Sequence, residues 1–482
     1  MKKLLFIAAA VVASYLSQAQ WQPDVRLTHN NAYNSICNNN AWAIAASGDT
    51  LHVVYTDMGP FWQVHYKRST NGGKSWGLTD TMLTSGANLP FNAAVSVSGP
   101  VVHVVWMAFV DATNSEIFDI HSEDGGSTWG ANTRLTYAPL ESYCPSLAIS
   151  GSVLHLVWMD ERNDPADLGN YDIFYKQSSD GGLTWGSDTR LTTKFPAAYS
   201  GLPCVAVSGS LVHVVWEDNR DGNGEIYYKR STDGGLSWGA DTRLTNDPAD
   251  SWDPCLALSD SVLHIVWYDY RDGNSEIYYK RSTDGGTTWG NDTRLTNAAD
   301  TSENPSVAVN GSLVHVVWED NRDGNSEIYY KVSTDAGLTW GADTRLTNNF
   351  AISLNPSVAL SDSVVHVVWM DGRYGYPDIL YKRNPTGNIP VGIGNELTND
   401  AGNGINIYPN PASNLIHAAL DNNSPESKTL SIRNILGEEL LSRPVRDGET
   451  MIDVTGLQNG VYFVWVTSDN KTGSCKKLII AK

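Results

Sequence analysis

Five arginines stand where their chemistry would be anion binding. Arg162, Arg220, Arg271, Arg322 and Arg373 each follow an aspartate by two positions: Asp160, Asp218, Asp269, Asp320 and Asp371. A planar guanidinium forks onto a carboxylate through paired N–H bonds. A ring of such groups would suit a carboxylated sugar. The same spacing suits structural pairing of each arginine with its own aspartate. Repetition favours the pairing, because a catalytic pocket needs different groups converging from different places.

Seven histidines invite a metal reading: His52, His103, His155, His213, His264, His315 and His366. Each occupies the same place in a different repeat, so they stand apart, whereas a metal needs ligands within about 2 Å of it. Structural hydrogen bonding is the expectation, with no metal and no cofactor. The run Asp218 to Glu225, echoed at Asp269 and Asp320, has a faint likeness to a calcium loop. An arginine occupies one of its alternating ligand positions, which weighs against calcium.

Residues that break the repeat are better clues. Twelve of the 17 tryptophans occupy two repeated positions, Trp21 is terminal and Trp465 lies near the C-terminus. Trp42, Trp62 and Trp252 remain. With the loop residues Tyr143, Tyr199, Tyr270, Tyr374 and Tyr376 they are expected at one end of the molecule, as packing for the loops or as stacking faces for sugars.

The elements that position these groups come from a repeat. The seven histidines are spaced by 51, 52, 58, 51, 51 and 51 residues. In the first six units a text close to Ser-x-Asp-Gly-Gly-x-Thr-Trp follows, with Asn71, Ala336 and two serines before Trp as its departures, ending at Trp76, Trp129, Trp185, Trp238, Trp289 and Trp340. Several short strands at such a period indicate a β-propeller. The sixth unit predicts four strands at 305–309, 313–318, 327–331 and 344–347. The second is continuously apolar, so both its faces should be covered by neighbouring blades.

The seventh unit lacks the Ser-x-Asp text and a fourth strand. Asp24-Val25-Arg26-Leu27-Thr28 matches the missing strand, so the N-terminal segment should complete the last blade and leave no open edge. The predicted fold class is all-β, a seven-bladed β-propeller closed by its N-terminal strand and followed by a small C-terminal β-sandwich. Loops between second and third strands share one end, here called the crossover end, with the crossings between blades. Blades 1 and 2 lack the Asp-x-Arg element and blade 3 has a longer loop at 163–171. A single asymmetric site is expected near these blades.

Residues 1–19 read as a signal peptide, with lysines, an apolar run and Ser17-Gln18-Ala19 before the cut. The propeller is assigned to 20–383, a Gly/Asn/Pro-rich linker to 384–404 and the sandwich to 405–482. No later stretch approaches the ~20 apolar residues of a membrane helix. A net charge of −20 disfavours nucleic acid and anionic membranes as partners. Five cysteines are too few for a disulfide framework, although a bridge between two of Cys144, Cys204 and Cys255 is open to an exported chain.

Two resemblances follow. Tyr408-Pro409-Asn410-Pro411, Gly437, Gly456-Leu457, Gly460-Val461-Tyr462 and Lys477-Leu478-Ile479 resemble the C-terminal sorting domain of the type IX secretion system of Bacteroidetes. That implies the secretion machinery as a partner and a secreted or outer-membrane surface-attached product. The six Ser-x-Asp repeats resemble the Asp-box, or BNR, repeats of sialidase-like propellers. Sialidases use a Tyr nucleophile with a Glu partner, an Asp and an arginine triad, and commonly carry an early Arg-Ile-Pro motif on six blades. This chain has no Arg-Ile-Pro and seven units. The first functional expectation is therefore a propeller binding glycans or extracellular and host proteins. A sialidase-type glycoside hydrolase is the alternative.

Overall fold

The computed structural model describes residues 21–387 and 405–480, apart from 38–42, 78–79, 87, 164–169, 193–197, 409–411, 413, 421–427, 435–438, 446–447, 459 and 469–470. The predicted signal peptide, Trp42, most of the linker, 409–411 and Gly437 lie outside the described residues. The chain forms two compact units, 1–388 and 389–482.

The first unit is a seven-bladed β-propeller. Blade 4 shows the pattern: Ser200–Ser208, Leu211–Asp218, Glu225–Ser231 and Thr242–Arg243, each antiparallel to the next. The first strands pack against one another around the ring. In blades 2 to 7 they are longer than the sequence predicts because each carries a bulge. In blade 4 the register breaks between Gly201 and Cys204, at Leu202 with φ +46°. Pro203 follows, where a missing N–H does not interrupt the ladder.

The second strand is buried on both faces, as its apolar text requires. Val212, Val214 and Trp216 pack on blade 3, while Val215 packs on blade 5. The fourth strands are short, two residues each, and leave little exposed edge.

Blade 7 is completed by Val25–Arg26, paired with Tyr381 and Leu380 of Asp378–Asn384. The match extends further than the sequence suggests. In five blades the third-strand tyrosine meets the Asp-box tryptophan of the next blade edge-on, as Tyr228 meets Trp289 at 4.9 Å. Blade 7 has no Asp-box, and Trp21 fills that place, 5.0 Å from Tyr330. Trp21 precedes Asp24 by the same three residues that separate Trp238 from Asp241.

The Asp-box turn is tied by its own polar groups. Asp233 accepts from the Ser237 N–H at 2.8 Å and from the Ser231 hydroxyl at 2.7 Å. The Ser237 hydroxyl, donating at 2.5 Å, and these two bonds hold its carboxyl down at about 2. The second glycine is needed for space as well as for φ. A Cβ on Gly286, at φ +78°, would lie 1.9 Å from the Tyr228 hydroxyl of the preceding blade.

The second unit is a two-sheet β-sandwich. Ile405–Tyr408, Leu415–Leu420 and Gly448–Asp453 form one sheet. Glu439–Val445, Lys428–Arg433, Gly460–Ser468 and Lys471–Ile480 form the other. Ile416, Leu430, Ile432, Ile452, Val464 and Leu478 fill the space between them.

Candidate functional site

The repeated arginines are held in the blade seams. Arg220 donates from Nε and Nη2 to Asp218 at 2.8 and 2.5 Å, and from Nη1 to Asp241 at 2.6 Å. Its guanidinium lies 4.5 Å over the Tyr227 ring, on the face packed against blade 3. Asp241 also pairs with Lys229 at 2.7 Å, and the Trp216 indole N–H donates to Asp218 at 2.9 Å. The same arrangement recurs at Arg162, Arg271, Arg322 and Arg373, and in blade 7 the second carboxylate is Asp24 of the N-terminal strand. Each guanidinium is occupied by two carboxylates of its own blade.

Six of the seven histidines bond a tyrosine hydroxyl through Nδ1, as His213 bonds Tyr228 at 2.7 Å. Burial pushes most of these imidazoles down to about 4, so they are neutral. His103 is the exception, facing Asp119. In the loop from Asp218 to Glu225 the carboxylates are also engaged, Glu225 with Arg243 at 2.5 Å and Asp221 with Arg243 at 3.2 Å.

Asymmetry is concentrated at the crossover end of blades 1–4, where rings form a continuous arc. Trp62 meets Phe91 at 5.9 Å, Phe91 meets Tyr143 at 6.2 Å, Tyr143 meets Tyr171 at 5.9 Å and Tyr171 meets Tyr199 at 5.9 Å. All four contacts are edge-to-face, the preferred geometry of quadrupolar rings. Carboxylates stand behind the hydroxyls. Glu141 takes hydrogen bonds from Tyr143 and Tyr171, and Glu217 takes one from Tyr199. Gly201 leaves room for the folded-over Tyr199 ring; a Cβ there would meet its hydroxyl at 2.1 Å. Glu217 also accepts the Asp253 N–H at 3.2 Å, yet burial still pushes its carboxyl up to about 7. Burial and the nearby carboxylates push the phenols of Tyr143, Tyr171 and Tyr199 well above their ordinary value. They are hydrogen-bond donors at neutral pH, not phenolates.

Beside the first ring of the arc lies a cleft of about 180 Å³, lined by Gln63, Thr84, Asn88, Trp106, Phe118 and Asn132 among others. It occupies the place that an arginine fills elsewhere. Trp106 and Phe118 stack at 6.0 Å, as Trp216 and Tyr227 do at 5.9 Å. Blade 2 replaces the whole charged network, with Ala108 for Asp218, Val110 for Arg220, Ile120 for Lys229 and Asn132 for Asp241. A hairpin of Val101–Asp111 and Asn114–Ser122 replaces the arginine loop. The Trp106 indole, which other blades bond to aspartate, faces an alanine position. The result is an aromatic floor, amide and hydroxyl walls, and no charge.

Of the aromatic residues predicted from sequence, Trp62 and Tyr199 form the two ends of the arc. Trp252 packs on Gly224, whose Cβ would lie 3.0 Å from its ring. Tyr270 is exposed and bonds Glu303 at 3.4 Å. Tyr374 is exposed under the Arg26 guanidinium at 4.2 Å. Phe91, Tyr171, Glu141, Glu217 and the cleft residues were not singled out by sequence. The departures at Ala108, Val110 and Asn132 from the repeated text were the available signal. Cys37, Cys144, Cys204 and Cys255 are buried and none of the four is in a disulfide, so the bridge left open by the sequence is not formed.

Fold and tail together define an exported β-propeller. Residues 406–481 match the secretion system C-terminal sorting domain family, which places the protein in the medium or on the outer-membrane surface. No curated protein matches the chain. Among solved structures, a polysaccharide lyase of family PL25, an ulvan lyase, is similar with a TM-score of 0.54 and 12% identity, over 74% of this chain and 95% of that one. The polysaccharide lyase Uly1 has a TM-score of 0.51 and 8% identity over 76% and 99%. A Trypanosoma rangeli sialidase has a TM-score of 0.44 and 12% identity over 83% and 85%. At these identities the likeness is one of fold. No helix among the described residues is long and apolar enough to cross a membrane.

Proposed function

We propose that this exported propeller is a binding module for uncharged glycan chains, engaged at the crossover end of blades 1–4. One sugar ring would enter the cleft on Phe118, and following residues would run along the arc from Trp62 to Tyr199. The observation that carries the reading is the uncharged cleft, where aromatic floor and amide walls take the place of an Asp–Arg network. Aromatic faces match the C–H faces of sugars, and amides match their hydroxyls. Among the described residues the cleft lining holds no lysine or arginine to pair with a uronic or sialic carboxylate. The full chain on a glycan array should retain neutral oligosaccharides, and Phe118→Ala should weaken them roughly tenfold. Retention of sialylated or uronic glycans alone would contradict it.

The sialidase-type alternative keeps one supporting feature, the Tyr199–Glu217 pair. Its arginine triad has no counterpart among Arg162, Arg220, Arg271, Arg322 and Arg373, because each is bound by two carboxylates.

A further inference from the structure

At the seam of blades 2 and 3, on the Asp-box side, the repeat is broken twice at one spot. The third strand of blade 4 reads Tyr228, Lys229, Arg230, whereas blade 2 reads Asp119, Ile120, His121. His103, which elsewhere would bond the tyrosine, faces the new aspartate. We propose that His103, Asp119 and His121 form a binding site for one divalent transition-metal ion of the zinc type.

The three ligand atoms lie within 4.8 Å of one another. His103 Nδ1 is 3.0 Å from Asp119 Oδ1, and His121 Nδ1 is 3.8 Å from Asp119 Oδ2. Zinc–nitrogen and zinc–oxygen bonds of about 2.1 Å put neighbouring tetrahedral ligands about 3.4 Å apart. The two separations from Asp119 bracket that value, and with all three ligand atoms within 4.8 Å the site closes by a side-chain shift at His121. The imidazoles stack at 5.1 Å with 26° between their planes, and both present Nδ1 to the Asp119 carboxylate. Two imidazoles and one carboxylate suit zinc, cobalt, nickel or copper rather than calcium.

Burial supports the assignment. His103 and Asp119 side chains are 0% and 1% exposed, and His121 is 22% exposed. The buried Asp119 carboxylate is the one acidic ligand of the three. Among the described residues its ion partners are these two histidines alone, with no lysine or arginine beside it. The partly open His121 side leaves a path for entry and a position for water, the pattern of an open three-ligand site.

The test uses the full chain, stripped with chelator and titrated with Co2+, followed by visible absorption, then with Zn2+. One equivalent of Co2+ should give a d–d band that Zn2+ abolishes. The double substitution Asp119→Tyr with His121→Arg restores the residues of blades 4 and 5, so the fold is kept. It should lose the band and weaken Zn2+ binding by at least roughly 100-fold. Failure of the wild-type chain to take up one equivalent, or equal uptake by the folded double variant, would overturn the site.

Discussion

At the residue scale, Glu217 carries a pH dependence that can be measured. Its folded value of about 7 lies above the ordinary glutamic value near 4.3. Between these values the folded state holds a proton that the unfolded chain releases. Stability is then full at low pH and falls as pH rises through about 7. Glu217→Gln keeps an acceptor for the Asp253 N–H and removes the titration. Urea midpoints of this variant should be flatter from about pH 4.5 to 7 than those of wild type, and higher at pH 8. An unchanged slope would mean that Glu217 is not the group responsible. Nothing in the text around Glu217 announced this. Glu319 stands at the same place in blade 6, is likewise pushed up by burial, and accepts the Asn355 N–H at 3.0 Å as Glu217 accepts that of Asp253.

At the scale of the element, the Asp-x-Arg loop is a seam clasp. Asp218 is 0% exposed and receives Arg220, Trp216 and Ser200 together. Removing one partner of a buried ion pair leaves the other uncompensated and costs about 3–5 kcal/mol. Arg220→Ala should therefore lower the unfolding free energy by that order while glycan binding by the folded fraction stays the same. Loss of binding with unchanged stability would reassign the arginine to the ligand. The pairing was legible in the spacing, since five equivalent arginines cannot all serve one asymmetric pocket. The arc was not. Phe91 and Tyr171 carry no repeated text, and Phe91 of blade 2 meets Tyr143 of blade 3 only because the two blades are adjacent at the crossover end.

At the scale of the whole molecule, the ring is closed by the first described residues. Val25–Arg26 supply the strand, Asp24 the carboxylate for Arg373, and Trp21 the ring against Tyr330. Trp21→Ala should cost about 3 kcal/mol of propeller stability by thermal or urea unfolding. A variant as stable as wild type would show that the strand closes the ring without it. The seven blades and the closing strand were legible because the repeat is close to identical from blade to blade. Trp21 looked like a mere terminus because its partner, Tyr330, lies far along the chain. The cleft was half legible: absence of the Asp-x-Arg element pointed to blades 1 and 2, whereas its volume and lining depend on packing. The central claim is that this cleft takes an uncharged sugar. Saturation-transfer NMR of the full chain with neutral and uronic oligosaccharides of equal length tests it most directly. The account predicts transfer to the neutral sugars' ring protons, lost in Phe118→Ala and kept in Arg220→Ala where folded. Transfer to the uronic sugars alone, or transfer indifferent to Phe118, would contradict it.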